Sequence, residues 1–185
     1  GWSDVFVLVE TGRETGWPPA PVLASAPPAE LRIDCAGLAG LLAREDATVV
    51  DLSLSRGYLN GHIPGAWFAI RSRLAGALAK IPPRGTLVLT SEDGMLAGVA
   101  ASEAAALIER PVRALEGGNA AWLAAGHVLT AADPRMADEP VDAWLKPYER
   151  SKDTTKAMRE YLSWEVDLLE RIERDGSVNF AQFRS

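Results

Sequence analysis

The chain has 185 residues, of which 48% are hydrophobic, and carries a formal net charge of -6. This length suffices for one sizeable core of α/β type, with residues left over at the ends. The acidic balance and the lack of clustered Lys and Arg argue against a nucleic-acid partner, because binding to phosphates requires a basic surface. No apolar run approaches the roughly 20 residues that span a bilayer, and Gly1-Trp2-Ser3 lacks the basic start of a signal peptide, so we expect a cytoplasmic protein without a membrane partner.

Cysteine and histidine are too scarce to suggest a metal centre. The single cysteine, Cys35, excludes an internal disulfide framework and any cysteine-rich zinc site. The two histidines, His62 and His127, could not complete a metal site without carboxylates that no motif identifies. We therefore expect neither a metal nor another cofactor.

The first 28 residues have the pattern of a strand followed by a linker. The run DVFVLVE, from Asp4, is typical of a strand, and residues 11–28 contain five prolines and two glycines, which favour an extended linker. We interpret residues 1–28 as the remnant strand of a preceding module plus this linker. A domain at residues 29–130 and a C-terminal extension at residues 131–185 follow.

Short strands and helices alternate through residues 29–130. Helical spacing of leucines is seen at residues 38–42, and helices are also predicted at 71–80, 95–109 and 120–125. Strands are predicted in the run that begins at Ala47 and at residues 66–70, 86–90 and 112–115. This alternation predicts an α/β fold, a doubly wound parallel sheet of about five strands with helices on both faces. Ligands of such sheets bind at the carboxyl ends of the strands, and Ser91 follows the strand at residues 86–90.

The C-terminal extension carries a long amphipathic helix. It is predicted to begin near Asp153 and to stop at Gly176, after an aperiodic, proline-containing stretch. One face of the helix holds the apolar residues Met158, Tyr161, Leu162, Leu168, Leu169 and Ile172. We expect this face to pack on the domain, and a free partner-binding helix is the alternative.

Two glycine-containing motifs predict turns of the backbone. In GHIPGA, residues 61–66, the glycines allow tight turning, Pro64 fixes φ and Ile63 supplies a buried anchor. In LEGGNAAW, residues 115–122, the paired glycines turn the chain out of a strand and Trp122 packs the next helix. These motifs resemble the GHIPGA signature and the closing LEGG…W…AG motif of rhodanese-like domains. The resemblance covers roughly residues 31–126 and implies transfer of a sulfane sulfur from thiosulfate, or a related donor, to a thiophilic acceptor.

The resemblance also implies where the catalytic loop of the family falls. That loop has the pattern Cys-x-x-Gly-x-Arg followed by a small residue, and its cysteine holds the sulfur as a persulfide within a ring of N–H groups. The pattern falls on SEDGMLA, residues 91–97. Gly94 and the small Ala97 match, Met95 stands at a variable position, Ser91 stands at the nucleophile position and Leu96 stands at the arginine position.

Both departures predict that no residue of this loop is catalytic. A serine hydroxyl lacks the acidity and the polarizable sulfur needed to form a persulfide. Leu96 lacks the guanidinium donors that suit an oxyanion such as thiosulfate. Glu92 and Asp93 add negative charge beside the same pocket.

Other polar residues are weaker candidates. Arg71 and Arg73 are candidates for compensating anion binding, although arginines on a helix surface are usually solvated. His62 could act as a general base or be part of a turn, and the turn is the interpretation that we favour. A hydrolytic role for Ser91 lacks both a nearby base and a G-x-S-x-G elbow. Cys35, with no basic neighbour in sequence, suits a small buried hydrophobe.

Three functional hypotheses follow from these patterns. The first is a degenerate rhodanese-like module with a structural or regulatory role, whose partners are other rhodanese modules of the same parent chain. The second is a contributor to sulfur transfer through a site shared with another module. The third is a protein-binding module that uses the Ser91 loop or the C-terminal helix.

Overall fold

The computed structural model describes residues 27–149 and 153–177. The predicted remnant strand and most of the predicted linker lie outside these residues. The described residues fall into two compact units, one ending at Ala143 and one beginning at Trp144. None of the described helices is long and apolar enough to cross a membrane.

The first unit is a six-stranded sheet in the order β1-β5-β4-β2-β3-β6, and every pair of neighbouring strands is parallel. The strands are β1 (Arg32–Ile33), β2 (Ala47–Asp51), β3 (Trp67–Phe68), β4 (Thr86–Thr90), β5 (Val112–Leu115) and β6 (Arg135–Met136). The α/β fold with a parallel sheet is confirmed. The sheet exceeds the predicted five strands because β1 and β6 are two-residue edge strands that pair with only one neighbour each.

Five helices of this unit connect the strands. They are α1 (Cys35–Ala43), α2 (Ser55–Asn60), α3 (Leu74–Leu78), α4 (Met95–Leu107) and α5 (Gly118–Ala124). Single 3₁₀ turns at Ala29–Leu31 and Arg71–Arg73 precede β1 and α3. The predicted helix at residues 71–80 is thus a 3₁₀ turn followed by a short α-helix.

Two apolar clusters cover the two faces of the sheet. One packs Val50, Leu87 and Leu89 against the alanines of α4. The other packs Val49 and Val88 against Leu38 of α1, Tyr58 of α2 and Trp122 of α5. Since successive residues of one strand enter opposite clusters, the sheet is buried on both faces, as expected of a parallel sheet.

The second unit contains a 3₁₀ turn at Pro147–Glu149 and the long helix α6 (Thr154–Asp175). The carboxylate of Asp153 accepts a hydrogen bond from the Lys156 N–H at 3.1 Å, and Gly176 follows the helix with φ of +61°. These two residues fix the start and the end of α6 close to the predicted positions. The packing of its apolar face on the domain stays a prediction.

Candidate functional site

Strand β4 carries Ser91 to the carboxyl edge of the sheet. Its residues Leu87, Val88 and Leu89 are fully buried, and β4 lies between β5 and β2. Ser91 follows directly and is only 3% exposed. Its Oγ accepts a hydrogen bond from the Ala97 N–H at 3.3 Å, so the hydroxyl caps the first turn of α4.

The backbone after Ser91 forms a tight loop into α4. Gly94 precedes the helix with φ of +80°, a conformation that favours glycine. The Asp93 carboxylate accepts a hydrogen bond from the Met95 N–H at 2.9 Å. Within the described part of the chain, the N–H groups of Glu92, Asp93, Gly94 and Leu96 have no acceptor. The loop therefore retains backbone donors around the Ser91 position.

The paired glycines of the LEGG motif and the two residues after them contact the backbone of this loop. The Asn119 N–H donates to the Ser91 carbonyl at 2.8 Å, and the Ala120 N–H donates to the Glu92 carbonyl at 2.9 Å. A Cβ on Gly118 would stand 2.0 Å from the Ser91 carbonyl oxygen, and a Cβ on Gly94 would stand 2.8 Å from the Leu115 carbonyl oxygen. The motif that we interpreted as a turn thus also permits two backbone segments to touch.

A buried polar network, which the sequence did not predict, joins three strand and helix ends beside the loop. Thr90 Oγ1 donates to Asn119 Oδ1 at 2.9 Å, and Asn119 Nδ2 donates to Asp51 Oδ2 at 2.8 Å. The other Asp51 oxygen accepts from the Ser53 N–H at 2.8 Å. Thr90 and Asp51 are fully buried, and Asn119 is 7% exposed. An acid at the end of a β-branched strand was the only sequence signal for this network.

The mouth of the loop is acidic and apolar. Glu92 and Asp93 are exposed, and Met95 and Leu96 are 50% and 38% exposed. No basic side chain belongs to the loop itself. An anion that approaches this mouth therefore meets two carboxylates and no guanidinium from the loop.

The two arginines named as anion-binding candidates lie on the 3₁₀ turn before α3. Arg71 forms a two-point ion pair with Glu103, and its Nε donates to Glu103 Oε2 at 3.1 Å. Glu103 lies six residues beyond Ala97 on α4, which corresponds to about 9 Å along the helix. Arg73 is exposed. The charge of Arg71 is therefore directed at Glu103.

The two histidines make structural contacts. His62 is fully buried, its Nδ1 lies 2.9 Å from the Tyr58 carbonyl oxygen, and its ring stacks on Tyr58 at 4.1 Å. His127 stacks on Trp122 at 3.9 Å. No hydrogen bond in the described residues joins either ring to Ser91, so no base for this hydroxyl is evident there.

Cys35 is the first residue of α1 and is partly buried. Burial raises the pKa of its thiol, and the nearby Asp34 carboxylate raises it further. Both effects favour the neutral thiol over the thiolate. This environment is the opposite of one that activates a cysteine nucleophile.

A groove of about 580 Å³ lies beside the loop. It includes Glu92 and Asn119, and its apolar wall includes Leu54, Leu123 and Leu129. Leu54 and Leu123 are 61% and 57% exposed. Among the described residues, no group of three or more His, Cys, Asp or Glu side chains is arranged to hold a metal ion.

Comparisons with known proteins agree with this geometry. A family model described as "Rhodanese-like domain" matches residues 35–125. The crystal structure of thiosulfate sulfurtransferase from Pseudomonas aeruginosa is 36% identical, with a TM-score of 0.79, over 86% of this chain and 30% of that chain. The chain thus spans about a third of the length of that protein.

Two more distant solved structures are also similar to part of this chain. The Alr3790 protein from Anabaena sp. is 22% identical with a TM-score of 0.50, over 55% of this chain and 83% of that chain. A rhodanese-related protein from Thermoplasma volcanium is 19% identical with a TM-score of 0.48, over 54% of this chain and 97% of that chain. A search of curated proteins gave no match.

Proposed function

Because residues 35–125 form a rhodanese-like domain, we propose that this chain is a module of a thiosulfate sulfurtransferase-type protein that does not itself transfer sulfur. Its role is structural or regulatory, next to other rhodanese modules of a longer parent chain. The chain is 36% identical to a thiosulfate sulfurtransferase, and the match covers 30% of that protein. This partial coverage supports the proposal that the chain is one module of a longer protein. We retain the cytoplasm as the expected location.

The single observation that carries this proposal is Ser91 at the carboxyl end of β4. The Ala97 N–H at the start of α4 donates to an Oγ, at the position where the resemblance implies a cysteine Sγ. A persulfide requires a thiolate that attacks the outer sulfur of thiosulfate and releases sulfite. An alcohol has a pKa far above that of a thiol, and a bound sulfur on its oxygen would be unstable. Replacement of cysteine by Ser91 therefore removes the chemical step.

A second departure removes the anion-binding side chain of the loop itself. Leu96 occupies the position of the arginine, and a leucine offers no hydrogen bond to an oxyanion. The exposed carboxylates of Glu92 and Asp93 repel thiosulfate at the mouth of the loop. Arg71 is paired with Glu103, which reduces its availability as a substitute.

The proposal is tested by restoring the two groups. We expect Ser91→Cys together with Leu96→Arg to gain 32 Da, one sulfur atom, after thiosulfate treatment, because the loop backbone still offers N–H donors. The unmodified chain should gain none, and Ser91→Cys alone should gain much less than the double variant. Mass spectrometry of the intact protein measures the added mass.

Charge variants provide the matched control. Adding Glu92→Gln and Asp93→Asn should raise the persulfide yield, and Asn keeps an oxygen that can accept from the Met95 N–H. If the folded double variant alkylates readily at its new thiol but gains no sulfur, even with both acids neutralised, then missing side chains do not explain the inactivity. That result would favour a protein-binding module, which the apolar groove beside the loop also supports.

A further inference from the structure

A second groove lies at the opposite, amino-terminal edge of the sheet. Strand β4 pairs with β2 along all five residues of β2, whereas β3 pairs only with Val50 and Asp51. The start of β2 therefore has no strand neighbour on the β3 side. The gap is a groove of about 510 Å³ whose walls include Thr48, Pro64, Trp67, Pro82, Arg84 and Arg135.

Positive charge is concentrated around this groove. Arg84 comes before β4 and Arg135 begins β6, and both line the groove. Arg110 comes before β5 and reaches Thr48 Oγ1 with its Nη1 at 3.0 Å. Parallel strands start at the same edge of a sheet, so residues distant in sequence bring three guanidinium groups together here.

Carboxylates balance this charge only in part. Glu45 also lines the groove and pairs with Arg84 at 2.8 Å, but these side chains are 79% and 63% exposed, so the ion pair is weak. Arg135 donates to the Gly65 carbonyl at 3.4 Å and lies over the Trp67 ring.

Arg110 donates to Thr48 Oγ1 and to the carbonyls of Arg84 and Gly85. Neither Arg110 nor Arg135 has a carboxylate partner among the residues that the structure describes. Asp46, whose Oδ1 lies against Gly85, is another acid of this edge, and Glu109 and Asp133 precede β5 and β6.

We propose that this groove binds a small oxyanion of the phosphate type, either free or as the head group of a small molecule. Guanidinium groups form paired hydrogen bonds to the oxygens of such anions, and Arg84 and Arg135 border the same space. The flat Trp67 ring and the two prolines suit an apolar substituent on the anion. The groove starts beside Thr48, which pairs with Leu87, about 13 Å along β4 from Ser91. This site is therefore separate from the loop and does not depend on its inactivity.

The test is a titration followed by NMR of the backbone amides. Addition of inorganic phosphate should shift the amides of Thr48, Gly65 and Trp67 in a saturable way, whereas chloride at equal ionic strength should not. Arg84→Gln and Arg135→Gln should each weaken the apparent affinity about tenfold or more, because each removes a charged donor. Arg32→Gln removes a positive charge from β1, the edge strand farthest from this groove, where Arg32 pairs with Glu116, and it should leave the affinity unchanged.

Phenyl phosphate identifies the form of the anion. Tighter binding of phenyl phosphate than of inorganic phosphate supports a head group with an apolar substituent, and equal affinity supports a free anion. Shifts that chloride reproduces at equal ionic strength would overturn the proposal. Unchanged phosphate affinity in Arg84→Gln would overturn it as well, and this exposed residue can be replaced even if Arg135→Gln fails to fold.

Discussion

At Gly118 two backbone segments meet with no room for a side chain. A Cβ there would stand 2.0 Å from the Ser91 carbonyl oxygen and 2.4 Å from the Gly94 nitrogen, and φ is +58°. Gly126 has a similar φ of +86°, but a Cβ on it would meet nothing within 4 Å. Alanine substitutions at these two glycines can therefore be compared to separate the effect of backbone conformation on stability from the effect of close contact.

We expect Gly118→Ala to lower the free energy of unfolding by about 3 kcal/mol or more, since backbone strain and a steric clash combine. Gly126→Ala should lower it by only about 1 kcal/mol, because only the positive φ is unfavourable. Urea denaturation of both variants measures the difference. Equal losses would show that the contact between the Ser91 loop and the glycine turn is unimportant for stability.

The environment of Cys35 predicts that its thiol reacts slowly with alkylating reagents. Because burial and Asp34 raise its pKa, the thiolate should form at higher pH in the folded chain than in the unfolded chain. The sign follows from linkage: the neutral thiol is favoured in the folded state, so this contribution to stability is present at low pH and is lost as pH rises through the folded pKa.

The rate of alkylation by iodoacetamide between pH 7 and pH 10 measures this titration. We expect its midpoint in the folded protein to lie above the midpoint in urea. Asp34→Asn should move the folded midpoint down without removing the side-chain acceptor that caps α1 at the Gly37 N–H. A folded midpoint at or below that of the unfolded chain would contradict the raised pKa.

At the level of elements, hydrogen bonds of Asn119 link the start of α5 to the ends of β2 and β4. It binds Thr90 and Asp51 through its side chain and the Ser91 carbonyl through its backbone. Removal of its amide leaves a buried carboxylate with fewer donors, which is costly in an apolar environment.

We therefore expect Asn119→Ala to destabilise the chain by about 2 to 4 kcal/mol. In an Asp51→Asn background the same substitution should be less damaging, because no charge is left without a donor. A double-mutant cycle from urea denaturation measures this coupling. If the losses of the two single variants simply add, the Asn119–Asp51 contact does not hold these elements together.

The sequence predicted the central elements better than the edges. The strand bounds at Thr86–Thr90 and Val112–Leu115 are confirmed, because compact apolar runs between polar residues mark buried strands clearly. Strands β1 and β6 have two residues each and were missed, and the strand predicted at residues 66–70 is likewise reduced to the two residues of β3, because segments this short carry no periodicity. The Asn119–Asp51 contact was missed as well, because it joins residues 68 positions apart and only the folded topology brings them together.

At the level of the whole molecule, the two ends of the sheet differ in charge. The carboxyl edge presents Glu92 and Asp93, with Arg56 in the groove beside them. The amino edge presents Arg84, Arg110 and Arg135, with Glu45 and Asp46 beside them. The motif residues predicted which edge holds the family's loop. The arginine groove was not predicted, because its three cations come from separate connections and form no pattern in the sequence.

The most direct test of the proposed inactivity is the formation of thiocyanate from thiosulfate and cyanide by the purified chain. We expect no rate above the uncatalysed reaction, because Ser91 cannot hold the sulfur between donor and acceptor. Cys35→Ser is the control, since Cys35 is the only thiol in the chain. Turnover that saturates with thiosulfate and persists in Cys35→Ser would contradict the proposed inactivity of the Ser91 loop.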